Sequence, residues 1–230
     1  MSITQRSNVG RQRAERIGAS RLYLCTDARV VRGDLLDFVA AAVRGGVDIV
    51  QVRDKTLNAA EERRVLDAVR EVCVREGALL AVNDRADLAF LVGADVFHSG
   101  QGDLSVADSR RLLGPDVILG RSTHSRDQAM AADADPNVDY FCVGPVWATP
   151  TKPSRAAVGV GLVEWVAKQR PGTPWFAIGD INPRTVPEVA AVGATRVVAV
   201  RAVTESSDPR AAAATLRAAL TNSLTVEVQG

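Results

Sequence analysis

At 230 residues, with a formal net charge of +1 and 47% aliphatic or aromatic residues, the chain has the length and apolar content of one large domain with its own core. Lys and Arg are spread along it without a basic block, which excludes a nucleic-acid or anionic-lipid surface. Its three cysteines, Cys25, Cys73 and Cys142, lie far apart and exclude a disulfide framework or a zinc spacing, and no stretch approaches the roughly 18 apolar residues of a membrane span.

In chain order, residues 1–18 are polar and lack the apolar core of a signal peptide. They read as a flexible N-terminal arm on a cytoplasmic protein. From Arg21 a unit repeats: a short β-rich run, one or two polar residues, then a stretch with helical periodicity. The runs begin at Arg21, Asp48, Ala78, Asp95, Val117, Val138, Pro174 and Arg196. Glycines such as Gly77, Gly93 and Gly193 stand where helices hand over to strands. Abundant Ala and Val with few aromatics suit parallel strands under small-residue helices. Eight alternating units need right-handed crossovers and close most naturally into an α/β fold, a single (β/α)8 TIM barrel of eight parallel strands. A doubly wound open sheet is the runner-up. The barrel is expected over residues 19–220, with a C-terminal tail at 221–230. Cys25 and Cys142 fall inside apolar runs and read as buried, inert thiols.

Barrels build their sites from the loops after each strand, and here those ends are polar. The second run ends Gln51-Val52-Arg53-Asp54-Lys55, and strand alternation puts Gln51, Arg53 and Lys55 on one side. The third ends Asn83-Asp84-Arg85, and the fourth reaches Gly100-Gln101-Gly102-Asp103. Singly, Asp84 and Asp103 read best as helix caps. Together, on adjacent strands, they suit a Mg²⁺ held with waters and phosphate oxygens. His124 ends the fifth run in Arg121-Ser122-Thr123-His124 and reads equally as a base, a phosphate donor or a helix-start residue. The sixth connection is long and carries Thr149, Thr151, Lys152 and Arg155, groups that suit phosphate oxygens and an active-site lid. Gly179-Asp180 and Val200-Arg201 end the last two strands, where barrels often bind phosphate. Asp180 adds like charge beside an anion, or caps the next helix.

Taken together, Gln51-x-Arg53-x-Lys55, Asn83-Asp84-Arg85, Gly100-Gln101-x-Asp103, Ser122-x-His124 and Gly144-Pro145 with Thr149-x-Thr151-Lys152 resemble the thiamine phosphate synthase family over nearly all of residues 20–220. That family joins a hydroxymethylpyrimidine diphosphate to a thiazole phosphate and releases pyrophosphate. The resemblance implies that Asp84 and Asp103 bind Mg²⁺. It implies that Arg53, Lys55, Asn83 and Lys152 hold the diphosphate, Gln51 the pyrimidine, and Ser122 the pyrophosphate. Thr149, Thr151 and the backbone near Gly179 and Val200 would hold the thiazole phosphate. Arg53, Lys55, Ser122 and Lys152 would carry catalysis.

The chemistry agrees with those roles. The aminopyrimidine can stabilise a cation at its methylene, so departure of pyrophosphate can lead. The thiazole nitrogen is a neutral nucleophile that needs no strong base. What remains is charge stabilisation of the leaving group and alignment of the nucleophile. Two positions depart from the family pattern: Asp180 replaces a second glycine, and Arg201 stands where some members have Ser. Arg201 either offsets that carboxylate or grips the phosphate. The expected partners are the two small-molecule substrates, with no nucleic acid and no membrane. A homo-oligomer is compatible with the sequence, which carries no motif that sets its order. The competing readings are a related thiazole tautomerase, which keeps a His at position 124, and a non-catalytic barrel that binds a phosphorylated ligand.

Overall fold

The computed structural model describes residues 5–149 and 156–226, with side chains to Thr221. Eight parallel strands form a closed barrel in sequence order: β1 Leu22–Thr26, β2 Ile49–Val52, β3 Leu79–Asn83, β4 Val96–Ser99, β5 Ile118–Thr123, β6 Tyr140–Val143, β7 Trp175–Ile178 and β8 Val197–Ala199. The expected barrel is therefore present, with β1 paired to β8. Its outer ring includes α2 Leu35–Arg44, α3 Ala59–Glu76, α4 Ala86–Val92, α5 Val106–Leu113, α6 Arg126–Ala134, α7 Val160–Gln169, α8 Val186–Ala191 and α10 Pro209–Val226. A single turn, α9 Arg201–Thr204, follows β8.

Strand alternation divides the apolar residues into two cores. Outward residues such as Leu22, Leu24, Val50, Leu80 and Val197 pack under the helices. Inward residues such as Ile49, Leu79, Val96, Ile118, Phe176 and Val198 fill the barrel. A barrel interior is a packed core, so polar residues among the inward set stand out. Here they are Tyr23, Gln51, His98, Tyr140 and Ser122, all buried.

The N-terminal segment is not the flexible arm expected from its polarity. Asn8–Ala19 form a helix, α1, that closes the floor of the barrel with Ile17, which is 2% exposed and packs into the interior cluster. The helix is held mainly by charge. Arg13 pairs with Asp95 at 2.8 Å, Arg6 with Asp139, and Ser7 donates its amide and hydroxyl to Asp116. The aspartates are themselves strand-start devices. Asp48, Asp95 and Asp139 each accept a backbone N–H from the preceding strand. At the other terminus α10 runs to Val226, so residues 221–226 of the expected tail are helical.

Candidate active site

At the carboxyl ends of the strands a cavity of about 810 Å³, its open mouth included, is lined by Gln51, Arg53, Asn83, Ser122, Thr149 and the 179–181 loop, with Val200 and Arg201 opposite. An adjoining recess shares Arg53 and Asn83 and adds Lys55, Glu62, Asp84 and Arg85. The structure thus brings most of the residues expected from sequence to one mouth. Asp103 stands apart on the neighbouring β4–α5 loop and lines neither space. Thr151, Lys152 and Arg155 lie outside the described residues.

Each side chain has a local cause. Gln51 points inward between β1 and β3, where its Nε2 donates to Tyr23 Oη at 2.8 Å. Arg53 lies one alternation further along, where the strand opens, and its guanidinium has no ion-pair or hydrogen-bond partner among the described residues. Lys55 pairs with Asp84, whose Oδ2 also accepts from Asn83 Nδ2. Asp84 adopts a left-handed backbone, φ +48°, just beyond β3. That conformation is costly for most residues and tolerated by Asp, and it turns the carboxylate toward the mouth.

Neither carboxylate caps a helix. Arg85 occupies the N-cap position of α4 with no side-chain bond, and Ser105 caps α5. Asp103 instead takes the Gly100 amide at 2.6 Å. Its loop is tied to β5 by two side chains to which the sequence assigned no role. Gln101 Nε2 donates to Ser122 O at 2.6 Å, and Arg121 donates to Gly100 O at 2.7 Å. Among the described residues, one oxygen of Asp84 and one of Asp103 accept no hydrogen bond. No group of three or more His, Cys, Asp or Glu converges as a metal cage among the described residues.

The far side of the mouth is built on close backbone approach. A Cβ on Gly179 would stand 2.6 Å from Pro145 Cα, so only glycine lets the β6 and β7 loops meet. Asp180 follows at φ +52° and pairs with Arg201. Asp180 does not cap α8, which starts at Val186. Arg201 thus offsets the Asp180 carboxylate in this structure. His124 lines the same cavity, its Nδ1 bonded to the carbonyl of Gly144. A carbonyl only accepts, so that nitrogen carries a proton. Cys25 and Cys142 are buried as expected, yet both line the cavity, and Cys25 Sγ donates to Gln51 Oε1 at 3.4 Å.

Three buried groups escaped the sequence reading: Tyr23, Tyr140 and His98. His98 bonds Tyr140 Oη through Nδ1 and Ser122 Oγ through Nε2, both at 2.9 Å. The signal was available in the alternation of β4, which sends Val96 and His98 to the same side.

Fold and mouth together define a (β/α)8 barrel with a cation-bearing pocket at the end of the strands where such barrels do their chemistry. Residues 22–203 match the family model described as Thiamine monophosphate synthase. The thiamine-phosphate synthase of Thermobifida fusca is 58% identical over 203 residues, 88% of this chain and 93% of that protein. The thiamine-phosphate synthase of Saccharopolyspora erythraea is 56% identical over 211 residues, 89% of this chain and 95% of that protein. Among solved structures, a thiamine phosphate pyrophosphorylase from Pyrococcus furiosus superposes with a TM-score of 0.80 at 27% identity, covering 90% of this chain and 98% of that one. The chain belongs to the thiamine monophosphate synthase family and is a transferase enzyme. No helix among the described residues is long and apolar enough to cross a membrane.

Proposed function

We propose that the protein couples hydroxymethylpyrimidine diphosphate with hydroxyethylthiazole phosphate, giving thiamine phosphate and pyrophosphate. The observation that carries this is the convergence of Gln51, Arg53, Asn83, Ser122, Gly179 and Val200 on one cavity, beside a recess holding Lys55 and Asp84. In the reaction the bond from the pyrimidine methylene to the diphosphate oxygen breaks, and its electron pair leaves with pyrophosphate. The thiazole nitrogen then supplies the pair for the new carbon–nitrogen bond.

Arg53, Lys55, Asn83 and Lys152 bind the diphosphate and stabilise the charge that grows on it as it leaves. Ser122 donates to the same group. Gln51 orients the pyrimidine through the paired donor and acceptor of its amide. Thr149, Thr151, Gly179 and Val200 hold the thiazole phosphate, with the Asp180–Arg201 pair beside it. Asp84 and Asp103 fit Mg²⁺: they are hard oxygen donors, neither is consumed as a cap, and Asp84 already draws the Lys55 ammonium. When bound, that ion neutralises charge on the departing pyrophosphate. Two small-molecule substrates and a buried reaction centre suffice for this chemistry. It asks for neither nucleic acid nor membrane, and we assign it to the cytoplasm.

Incubation of the protein with both substrates, with and without Mg²⁺, tests the reading. Metal-dependent release of pyrophosphate with formation of thiamine phosphate is expected. Metal-free isomerisation of the thiazole, or binding without turnover, overturns it.

A further inference from the structure

A continuous hydrogen-bond chain crosses the barrel beneath the pocket. It runs from Gln51 on β2 to Tyr23 on β1 (2.8 Å), to Tyr140 on β6 (3.3 Å), to His98 on β4 (2.9 Å) and to Ser122 on β5 (2.9 Å). Its two ends line the cavity, while the phenols between them are fully buried.

The direction of the chain follows from chemistry at one end. An amide nitrogen donates and cannot accept. Gln51 Nε2 therefore gives its proton to Tyr23 Oη, while Gln51 Oε1 takes the Cys25 thiol. Tyr23 has one proton and passes it to Tyr140. Tyr140 in turn donates to His98 Nδ1, which leaves the imidazole proton on Nε2, donated to Ser122 Oγ. The Ser122 hydroxyl proton is then directed into the cavity, as a donor to an anionic oxygen. A flipped Gln51 amide reverses every link. Ser122 would then give its proton inward to His98 and present lone pairs to an anion, which repel it.

This arrangement is not what barrel stability asks for. Such interiors are normally filled by branched aliphatic residues. Buried hydroxyls cost free energy unless every link is satisfied. The barrel also gives up a side chain to seat one of them, because a Cβ on Gly120 would lie 2.1 Å from Tyr140 Cζ. Phe176 pins both phenols edge-on, with ring centroids at 5.8 and 5.7 Å. Burial raises both phenol pKa values well above the ordinary range, so the two act as neutral relays and not as bases.

Building on the proposed function, we infer that Tyr23, Tyr140 and His98 are positioning residues that make the Gln51 amide and the Ser122 hydroxyl one unit. A pyrimidine seated on Gln51 thereby fixes Ser122 as a donor to the departing pyrophosphate.

A double-mutant cycle tests this through kcat with both substrates. Gln51→Ala and Ser122→Ala are expected to couple by about tenfold in the intact protein and by less than about twofold when Tyr140→Phe is present. Phe keeps the ring and its contact with Phe176, and circular dichroism confirms folding. A second readout needs no turnover. The chain has only two histidines, His98 and His124, so ¹⁵N spectra of labelled protein with the pyrimidine diphosphate bound are simple to assign, using His98→Gln. His98 is expected to be neutral with its proton on Nε2. Slowed single variants that combine independently, or a proton on Nδ1, overturn the relay and leave the proposed function standing. Single variants of undiminished rate overturn the relay together with the roles given to Gln51 and Ser122, whereas only an absence of turnover in the unaltered protein takes the proposed function down.

Discussion

The strand-start aspartates of the closed end and the Asp84 and Asp103 carboxylates of the open end are used in opposite ways. At the closed end Asp139 is saturated: Arg6 takes Oδ1, while Arg110 and the Leu119 amide take Oδ2. Asp48 and Asp95 likewise join a strand N–H to an arginine, Arg217 and Arg13. At the open end Asp84 and Asp103 each keep an oxygen unused among the described residues. Three of the four non-glycine residues with positive φ among the described residues, Arg29, Asp84 and Asp180, also stand there. Satisfied polar groups hold a structure together, whereas groups left with spare capacity on strained backbone wait for a ligand.

The contrast can be broken by substitution. The largest effect belongs to the open end. Arg53→Ala, or Lys152→Ala, is expected to lower kcat by more than about a hundredfold through loss of one preorganised charge. Melting temperature should barely move. Near-normal rates in both variants would remove the charge-stabilisation mechanism.

The closed end should answer in the other currency. Ile17→Ala is expected to cost about 2 kcal/mol or more of unfolding free energy, from lost burial and the cavity left beneath the barrel. Urea titration measures the loss, and KM for both substrates should stay put. A stability unchanged within about 0.5 kcal/mol would show that the floor is not sealed by this side chain.

Asp84→Asn sharpens the open-end claim further. It should raise the Mg²⁺ concentration for half-maximal rate at least about tenfold, a loss that even supporting groups of a metal site produce. An unchanged metal requirement would free Asp84 from that role.

The smallest effect concerns the β1–α2 loop. Arg29 makes two bonds to Asp34, at 2.6 and 2.7 Å, and stacks 3.9 Å from the Phe38 ring centroid. That guanidinium holds the Asp34 carboxyl below its ordinary value of 3.8. A lowered folded-state value means stability that is present above the unfolded value and lost as pH falls through the folded one. Asp34→Asn should therefore lower stability slightly near neutrality, where the charged pair contributes, and shallow the acid limb below about pH 4, so that the two proteins converge in acid. An identical acid limb in both proteins would show that the pair contributes nothing there.

The open end was the more legible in sequence, for a physical reason. Its side chains follow strand alternation, so Gln51, Arg53 and Lys55 could be aligned without coordinates. What Asp84 and Asp103 do could not be read from either residue alone, because capping and ligation use the same residue types; only their joint occurrence pointed to a metal. The absence of a side-chain cap on α4 and the Ser105 cap on α5 decide against capping. The closed end was misread because α1 buries little apolar surface and is anchored by Arg–Asp pairs, which carry no periodic signal. Tyr23, Tyr140 and His98 were missed because an aromatic inside an apolar strand looks like core until its hydroxyl finds a partner.

The floor of the barrel also orders events during synthesis. Ser7 lies 109 residues before its partner Asp116, and Arg6 lies 133 before Asp139. The α1 segment therefore leaves the ribosome long before its sockets exist. At about 5–20 residues per second it waits for several seconds with Ile17 uncovered. Sealing of the floor is then a late step, set by the arrival of the fourth, fifth and sixth strands and not by the helix itself.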